Sequence, residues 1–282
     1  MGYQPLNPET LASSLQTVSF GKQLTHREEV SSTNVVAHEL ARGGCPEGTV
    51  VIAESQSAGK GRLGRSWESP VGKNLYLSLV LRPVTTPTEA AKLTLLAAVS
   101  VAETLHSELT FPPRIKWPND ILLRGRKTSG ILCELVTEGE RVTFVIVGVG
   151  VNLNYARAEM PQEIRGIATS VMEEAGRVVN RSAFTQRLIQ SLETQYLSWQ
   201  KNGFNDVARL WNQYARIEGQ WMRAQVGGNN LVGKACGLDE HGFLVLESTK
   251  GITERVVAGD IFLLSGPPGA GKNEAPESDE VT

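Results

Sequence analysis

A chain of 282 residues with 28 Lys and Arg against 30 Asp and Glu carries a net charge of −2, with 40% hydrophobic and 21% charged residues. That length and balance suit a soluble globular protein of one large domain or two unequal ones, with a real core to bury. They exclude a surface built throughout to grip nucleic acid or anionic membrane, and leave room only for a local basic patch.

Asn7-Pro8 opens a short lead-in helix within residues 1–28, where Leu11, Leu15 and Val18 fall near i, i+4 and i+7. The opening MGYQPLNPETLASSL has no basic-then-apolar leader, so no secretory signal is expected. Ser31-Ser32-Thr33-Asn34 precedes Val35, Val36, Ala37 and Leu40, which predicts a helix with capping hydroxyls that ends at Gly43-Gly44. The β-branched run 49–53 and the run LYLSLVL, 75–81, read as strands, and 89–109 as a helix with one face on a sheet. Strands follow around 115–117, over 130–136 and over 142–151. The last is a continuous apolar run, as expected of a central strand covered on both faces. Residues 182–199 and 204–214 read as helices. Beyond Gly219 come short strands with glycine turns, the pattern of a small antiparallel barrel or meander. The expected fold is therefore α+β: a mixed β-sheet packed with helices over 1–218, a small SH3-like β-barrel over 219–265, and a disordered Pro/Gly/acidic tail over 266–282.

Cys45, Cys133 and Cys236 are widely spaced, and four histidines are too few to complete a zinc cluster with them. A reducing, cytoplasmic compartment is the plain expectation. The string from Gly266 to Lys272, GPPGAGK, looks like half of a P-loop. Asn273 stands where Ser or Thr is needed, and ten further residues cannot build the helix and sheet that a P-loop requires.

The informative chemistry lies in three segments. In ESQSAGKGRLGRSW, 54–67, Gly59, Gly61 and Gly64 let the backbone approach a ligand, while Lys60, Arg62 and Arg65 suit an anion. In Lys116-Trp117-Pro118-Asn119-Asp120 an amide and a carboxylate fall at a strand end, although Pro-Asn-Asp is equally good turn chemistry. In RKTSGIL, 126–132, Lys127 stands at the mouth of a strand with Gly130 allowing close approach. Singly these are a solvated loop, a turn and a surface lysine. Together they suggest a site that neutralises a polyphosphate.

With Ser32-Thr33-Asn34, Gln56 and Gly148-Val149-Gly150-Val151-Asn152 added, the set resembles the biotin protein ligase family, in its order and approximate spacing. The resemblance implies a biotin/lipoate ligase-like, class II synthetase-like fold. It implies an ATP-dependent ligase that makes biotinyl-5′-AMP and transfers biotin to a lysine of a biotin carboxyl carrier protein. Ser32, Thr33 and Gln56 would then meet the biotin ureido ring, helped by backbone of Lys60, Gly61 and Arg62, with Asn34 also among the biotin-binding residues. Leu132 would form an apolar wall, Gly130 would leave room, and Lys127 would meet the biotin carboxylate and the α-phosphate. On the ATP side stand Lys60, Arg62 and Arg65 for phosphates, Trp67 for adenine, and Lys116, Asn119 and Asn152 for further contacts. Asp120 would orient Lys116 or the acceptor lysine, so Lys127, Arg62 and Asp120 are the implied catalytic residues, with Mg²⁺ on the phosphates. Lys60 departs from the family's usual arginine, keeping the charge but losing the planar fork. The resemblance further implies a single-function enzyme without an N-terminal DNA-binding domain, with no DNA or membrane partner. It allows a homodimer paired through strand 142–151 or the C-terminal barrel. The rival readings are a lipoate or octanoyl ligase and a biotin-sensing regulator.

Overall fold

Two β-sheets organise the chain in the computed structural model, which describes residues 5–226 and 228–267. The larger has seven strands: β1 (Leu24–Val30), β2 (Val50–Gln56), β3 (Leu75–Leu81), β4 (Arg114–Lys116), β5 (Asp120–Leu123), β6 (Arg126–Glu138) and β7 (Arg141–Val151). Their order is β1-β2-β3-β7-β6-β5-β4, with β1 parallel to β2 and the remaining pairs antiparallel. The long apolar run is β7, in the middle of the sheet as expected. For the same reason it cannot pair with a second copy edge to edge: β3 and β6 already take both its sides, and the edges are β1 and β4.

Alternation along β7 sends side chains to two unlike faces. Val145, Val147, Val149 and Val151 join the main core with Leu93 and Leu96 of α4 (Leu93–His106) and Leu188 and Leu192 of α7 (Arg181–Asn202). Phe144 and Ile146 pack on the opposite face against Ala37 and Ala41 of α2 (Thr33–Arg42). On that second face the strand then continues with Gly148 and Gly150, and the apolar cover gives way to the polar Asn34 side chain and the Trp67 indole. A floor without strand side chains is left at one end of the sheet.

The lead-in helix, α1 (Pro8–Ser14), is confined to two turns, and β1 follows it where no strand was expected. Its sequence LTHREEV carries no alternating apolar set, because an edge strand can leave Arg27, Glu28 and Glu29 in solvent. The helix expected over 89–109 breaks at Lys92 into α3 (Pro87–Ala91) and α4. After β7 come two short helices, α5 (Gln162–Arg165) and α6 (Val171–Ala175), then α7 and α8 (Asn205–Ala215).

The second sheet is formed by β8 (Trp221–Val226), β9 (Asn229–Leu238), β10 (Leu244–Glu247), β11 (Thr253–Val256) and β12 (Asp260–Leu263), in the order β11-β10-β9-β8-β12. No pairing joins β11 to β12 among the described residues, so the expected SH3-like barrel is an open five-stranded sheet. Its inner residues Met222, Ala224, Leu244 and Ile261 belong to the same apolar cluster as Trp211 of α8, which seats this sheet on the body of the molecule. Most of the tail expected to be disordered, including Lys272 of the P-loop-like string, lies outside the described residues. No helix among the described residues is long and apolar enough to cross a membrane.

Candidate functional site

The register of the central strands brings three glycines together. Gly150 of β7 pairs with Gly130 of β6, and two residues earlier Gly148 lies between Ser78 of β3 and Leu132 of β6. Each glycine of β7 carries a different occupant. A Cβ on Gly148 would collide with Oδ1 of Asn34, and one on Gly150 would stand 2.6 Å from the indole Nε1 of Trp67. A Cβ on Gly130 would come within 3.2 Å of the same indole and 3.4 Å of Lys127 Cε. The floor thus has two neighbouring seats, about 7 Å apart from the strand rise.

The first seat is lined by neutral groups at the start of α2. The hydroxyls expected to cap this helix do not do so: Ser32 is buried at the N-cap without a capping hydrogen bond. The backbone N–H of Thr33 instead donates to Gln56 Oε1 at 2.9 Å, and its hydroxyl lies 3.3 Å from the same oxygen and 2.8 Å from Ser78 Oγ. Gln56 Nε2 donates to Ser69 Oγ at 3.0 Å, and Ser69 donates to the Trp67 carbonyl. Asn34 is held by Ser78 at Oδ1 and by Glu134 at Nδ2. Sequence reasoning missed Ser78, Ser69 and Glu134, since they come from strands and loops whose register no local pattern reveals.

The second seat is ringed by cations. The loop after β2 folds back on itself through Gly61 N–H to Arg65 O, Trp67 N–H to Gly59 O and a bridge between Lys60 and Ser66. Arg62 Nη1 donates to Asn119 Oδ1 at 3.0 Å, and Asn119 Nδ2 donates to the carbonyl of Ile131. Lys127 Nζ lies 2.8 Å from Asp120 Oδ1, an ion pair without hydrogen-bond alignment, and 5.5 Å from the centre of the Trp67 ring. Arg65 pairs with Asp260 of β12 at 2.7 Å, and Lys116 Nζ stands 5.7 Å from the Phe262 ring, so the second sheet reaches the site from outside. Lys60 faces a cavity of about 310 Å³ on the Asn34 side, shared with His38, Arg42 and Glu134, rather than the cation ring around Trp67.

Two expected contacts are redrawn. Asp120 engages Lys127 rather than Lys116, although Lys116 is its cross-strand neighbour. Asn152 is buried with its amide spent inside the protein: it accepts from Asn74 and donates to the carbonyl of Thr169. It ties the end of β7 to residues 167–169, which also hold the backbone of Lys127 on both sides. No cluster of three His, Cys, Asp or Glu able to hold a metal occurs among the described residues.

Residues 27–152 match the Biotin/lipoate A/B protein ligase family, and residues 219–264 match the Biotin protein ligase C terminal domain. Among curated relatives, a bifunctional ligase/repressor BirA of Bacillus subtilis is 39% identical over 258 residues, 92% of this chain and 79% of the relative. A biotin--[acetyl-CoA-carboxylase] ligase of Mycobacterium tuberculosis is 33% identical over 267 residues, 92% of this chain and 96% of the relative. Among solved structures, a biotin protein ligase from Aquifex aeolicus in complex with biotin and ATP superposes with a TM-score of 0.74 at 28% identity. That likeness covers 86% of this chain and 99% of the other.

Proposed function

Because the chain belongs to the biotin protein ligase family, we propose that its two adjacent seats hold biotin and ATP, and that Lys127 joins them. The chain is a ligase of biotin by family and fold. What supports the residue-level reading is the spacing on β7. A ligand lying beside Thr33, Asn34 and Gln56, with Asn34 seated on Gly148, and a nucleotide beside Trp67, seated on Gly150, would meet at the Lys127 ammonium.

The physical problem is repulsion between a carboxylate and a triphosphate. Lys127, Arg62 and Arg65, with Lys60 at the flank, lower that repulsion and stabilise charge on the α-phosphate as pyrophosphate leaves. Asn119 aims the Arg62 fork, and Lys116 adds charge at the rim. Mg²⁺ fits as a passenger on the phosphates, held mainly by phosphate oxygens and water as is usual for this ion. The biotinyl-5′-AMP product is a mixed anhydride that water destroys, and the loop 57–67 covers it. When the ligand's anions draw Lys127, the Asp120 carboxylate is released to orient or deprotonate the incoming lysine of a carboxyl carrier protein.

In this reading residues 1–218 form the catalytic unit, with 219–265 as a support that holds Arg65 and Lys116. The free thiols of Cys45, Cys133 and Cys236 suit the reducing cytoplasm where ATP and carrier proteins meet. Incubation with biotin, MgATP and a carrier domain should add one biotinyl group to the carrier by mass spectrometry. An unmodified carrier, or lipoate used as readily as biotin, overturns the reading.

A further inference from the structure

We infer that Glu134 is a positioning residue that sets the direction of hydrogen bonding in the first seat, so that Thr33 accepts an N–H from the ligand. Resting on the assignment of that seat to biotin, this makes Glu134 a determinant of specificity for a cyclic urea over a plain fatty acid.

The direction follows from which groups can only accept. Asn34 Nδ2 lies 2.6 Å from Glu134 Oε2 and 3.4 Å from the carbonyl of Leu132. An ionised carboxylate and a peptide carbonyl have no proton to give, so the amide must turn its NH₂ toward them. Its Oδ1 then faces Ser78 Oγ at 2.6 Å and claims the single proton of that hydroxyl. Ser78 also lies 2.8 Å from Thr33 Oγ1, and with its proton committed it can only accept there.

The other neighbour of Thr33 is held the same way. Gln56 Oε1 accepts from the Thr33 backbone N–H at 2.9 Å. Gln56 Nε2 donates to Ser69 Oγ at 3.0 Å, and the Ser69 proton goes to the Trp67 carbonyl at 3.0 Å. Gln56 therefore cannot reverse without breaking three contacts. Thr33 is 4% exposed and meets two acceptors, Ser78 and Gln56. With the Ser78 proton committed to Asn34 Oδ1, no other donor among the described residues is recorded on the Thr33 hydroxyl oxygen. A buried oxygen with lone pairs and no donor is the condition that a ligand N–H relieves. A ureido ring supplies such groups, whereas a fatty acyl chain or a dithiolane ring supplies none.

If Glu134 could donate, the chain of hydrogen bonds would lose its direction. The Glu134→Gln substitution is isosteric but introduces an NH₂, so Asn34 can flip, Ser78 can donate to Thr33, and Thr33 need not wait for a ligand. For the full-length Glu134→Gln protein, biotin titrated calorimetrically without ATP should bind about tenfold more weakly, the scale of one hydrogen bond reversed. The KM for ATP in pyrophosphate release should stay within about twofold. Ser78→Ala removes the hydroxyl that Glu134→Gln would turn toward Thr33, so adding Glu134→Gln to Ser78→Ala should cost less than about twofold further in biotin affinity. The reciprocal pair Asn34→Asp with Glu134→Gln moves the carboxylate onto α2, where it accepts both from the amide introduced on β6 and from Ser78. That pair should return biotin affinity to within about threefold of wild type, short of full recovery because an Asp cannot donate to the Leu132 carbonyl. Asn34→Asp alone sets two carboxylates together and should bind biotin poorly. A merely structural role for Glu134 would weaken biotin and ATP together and show no rescue by the pair, and that result overturns the proposal. So does a Glu134→Gln protein with wild-type biotin affinity, or one whose loss of affinity persists in full in the Ser78→Ala background. Wild type that binds no biotin would instead fault the assignment of the seat itself.

Discussion

The two seats on the open face of the sheet sit two residues apart on β7, yet they are held by opposite means. Around Asn34 the groups are neutral apart from Glu134, buried or half-buried, and joined in one chain of hydrogen bonds from Glu134 to Ser69. Around Trp67 the groups are cations on an exposed loop, each leaning on a single partner: Arg62 on Asn119, Arg65 on Asp260, Lys127 on Asp120. The difference is one of solvation. Neutral polar groups can be desolvated in advance if each finds a partner, and then they stay ordered. Several cations cannot be desolvated together until their anion arrives, since unpaired buried charge is costly. Asp120 and Asp260 hold their cations in this structure, and on the proposed reading phosphates would compete with them there.

Removing the cation between the seats tests the comparison most severely. Lys127→Ala should lower the rate of biotinyl-adenylate formation about a thousandfold, in line with loss of a preorganised charge in a closed site, while the melting temperature changes little. Wild-type rates would remove Lys127 from the chemistry.

Next comes the support behind the neutral seat. Glu54, in β2 two residues before Gln56, is fully buried and accepts from Leu6 N–H, Arg181 and His26. Burial alone would raise its pKa, but the Leu6 N–H and the Arg181 guanidinium outweigh it and hold the carboxyl below its ordinary 4.5. A carboxyl depressed in the folded state stabilises the protein above its unfolded pKa, and that stability is lost as pH falls through the folded pKa. Glu54→Ala should cost about 3 kcal/mol at neutral pH by urea unfolding, the scale of a broken buried pair. Glu54→Gln should flatten the acid loss of stability below pH 4.5. An unchanged acid profile would assign that loss to other carboxylates.

The floor separates the seats more finely. Gly148→Ala drives a methyl into Asn34 and should weaken biotin binding about a hundredfold, the upper scale of overpacking. Gly150→Ala meets an indole that can tilt away, so it should weaken ATP use more than biotin binding, and by less. Equal effects of the two substitutions on both ligands would show the seats to be one.

The smallest effect belongs to the Arg65–Asp260 pair. With side chains 59% and 28% exposed, it should contribute under about 0.5 kcal/mol to folding, read as the change in urea midpoint of Asp260→Ala. A larger loss would mean that the second sheet is fastened through this pair rather than through its apolar cluster with Trp211.

Much of this was legible in the chain. The runs 75–81 and 142–151 were readable because a strand buried on both faces leaves a nearly continuous apolar record. The helix after Ser32 and the cation-rich loop were readable because caps, glycines and charge are local chemistry. β1 was not readable, since an edge strand paired on one side needs no apolar pattern. β5 was hidden in the turn signals of Pro118-Asn119-Asp120. Barrel closure was over-read, because short strands with glycine turns describe an open meander equally well.

Local composition alone determined that a loop with Lys60, Arg62 and Arg65 would seek an anion and that β7 would be a central strand. Only the tertiary structure decided that Gly130, Gly148 and Gly150 form one floor, that Asp120 answers Lys127, and that Glu134, Asn34, Ser78 and Thr33 stand in one hydrogen-bonded row. Cross-strand register and distant pairing carry those choices, and they depend on segments far apart in the chain meeting in space, which no neighbouring run of residues encodes.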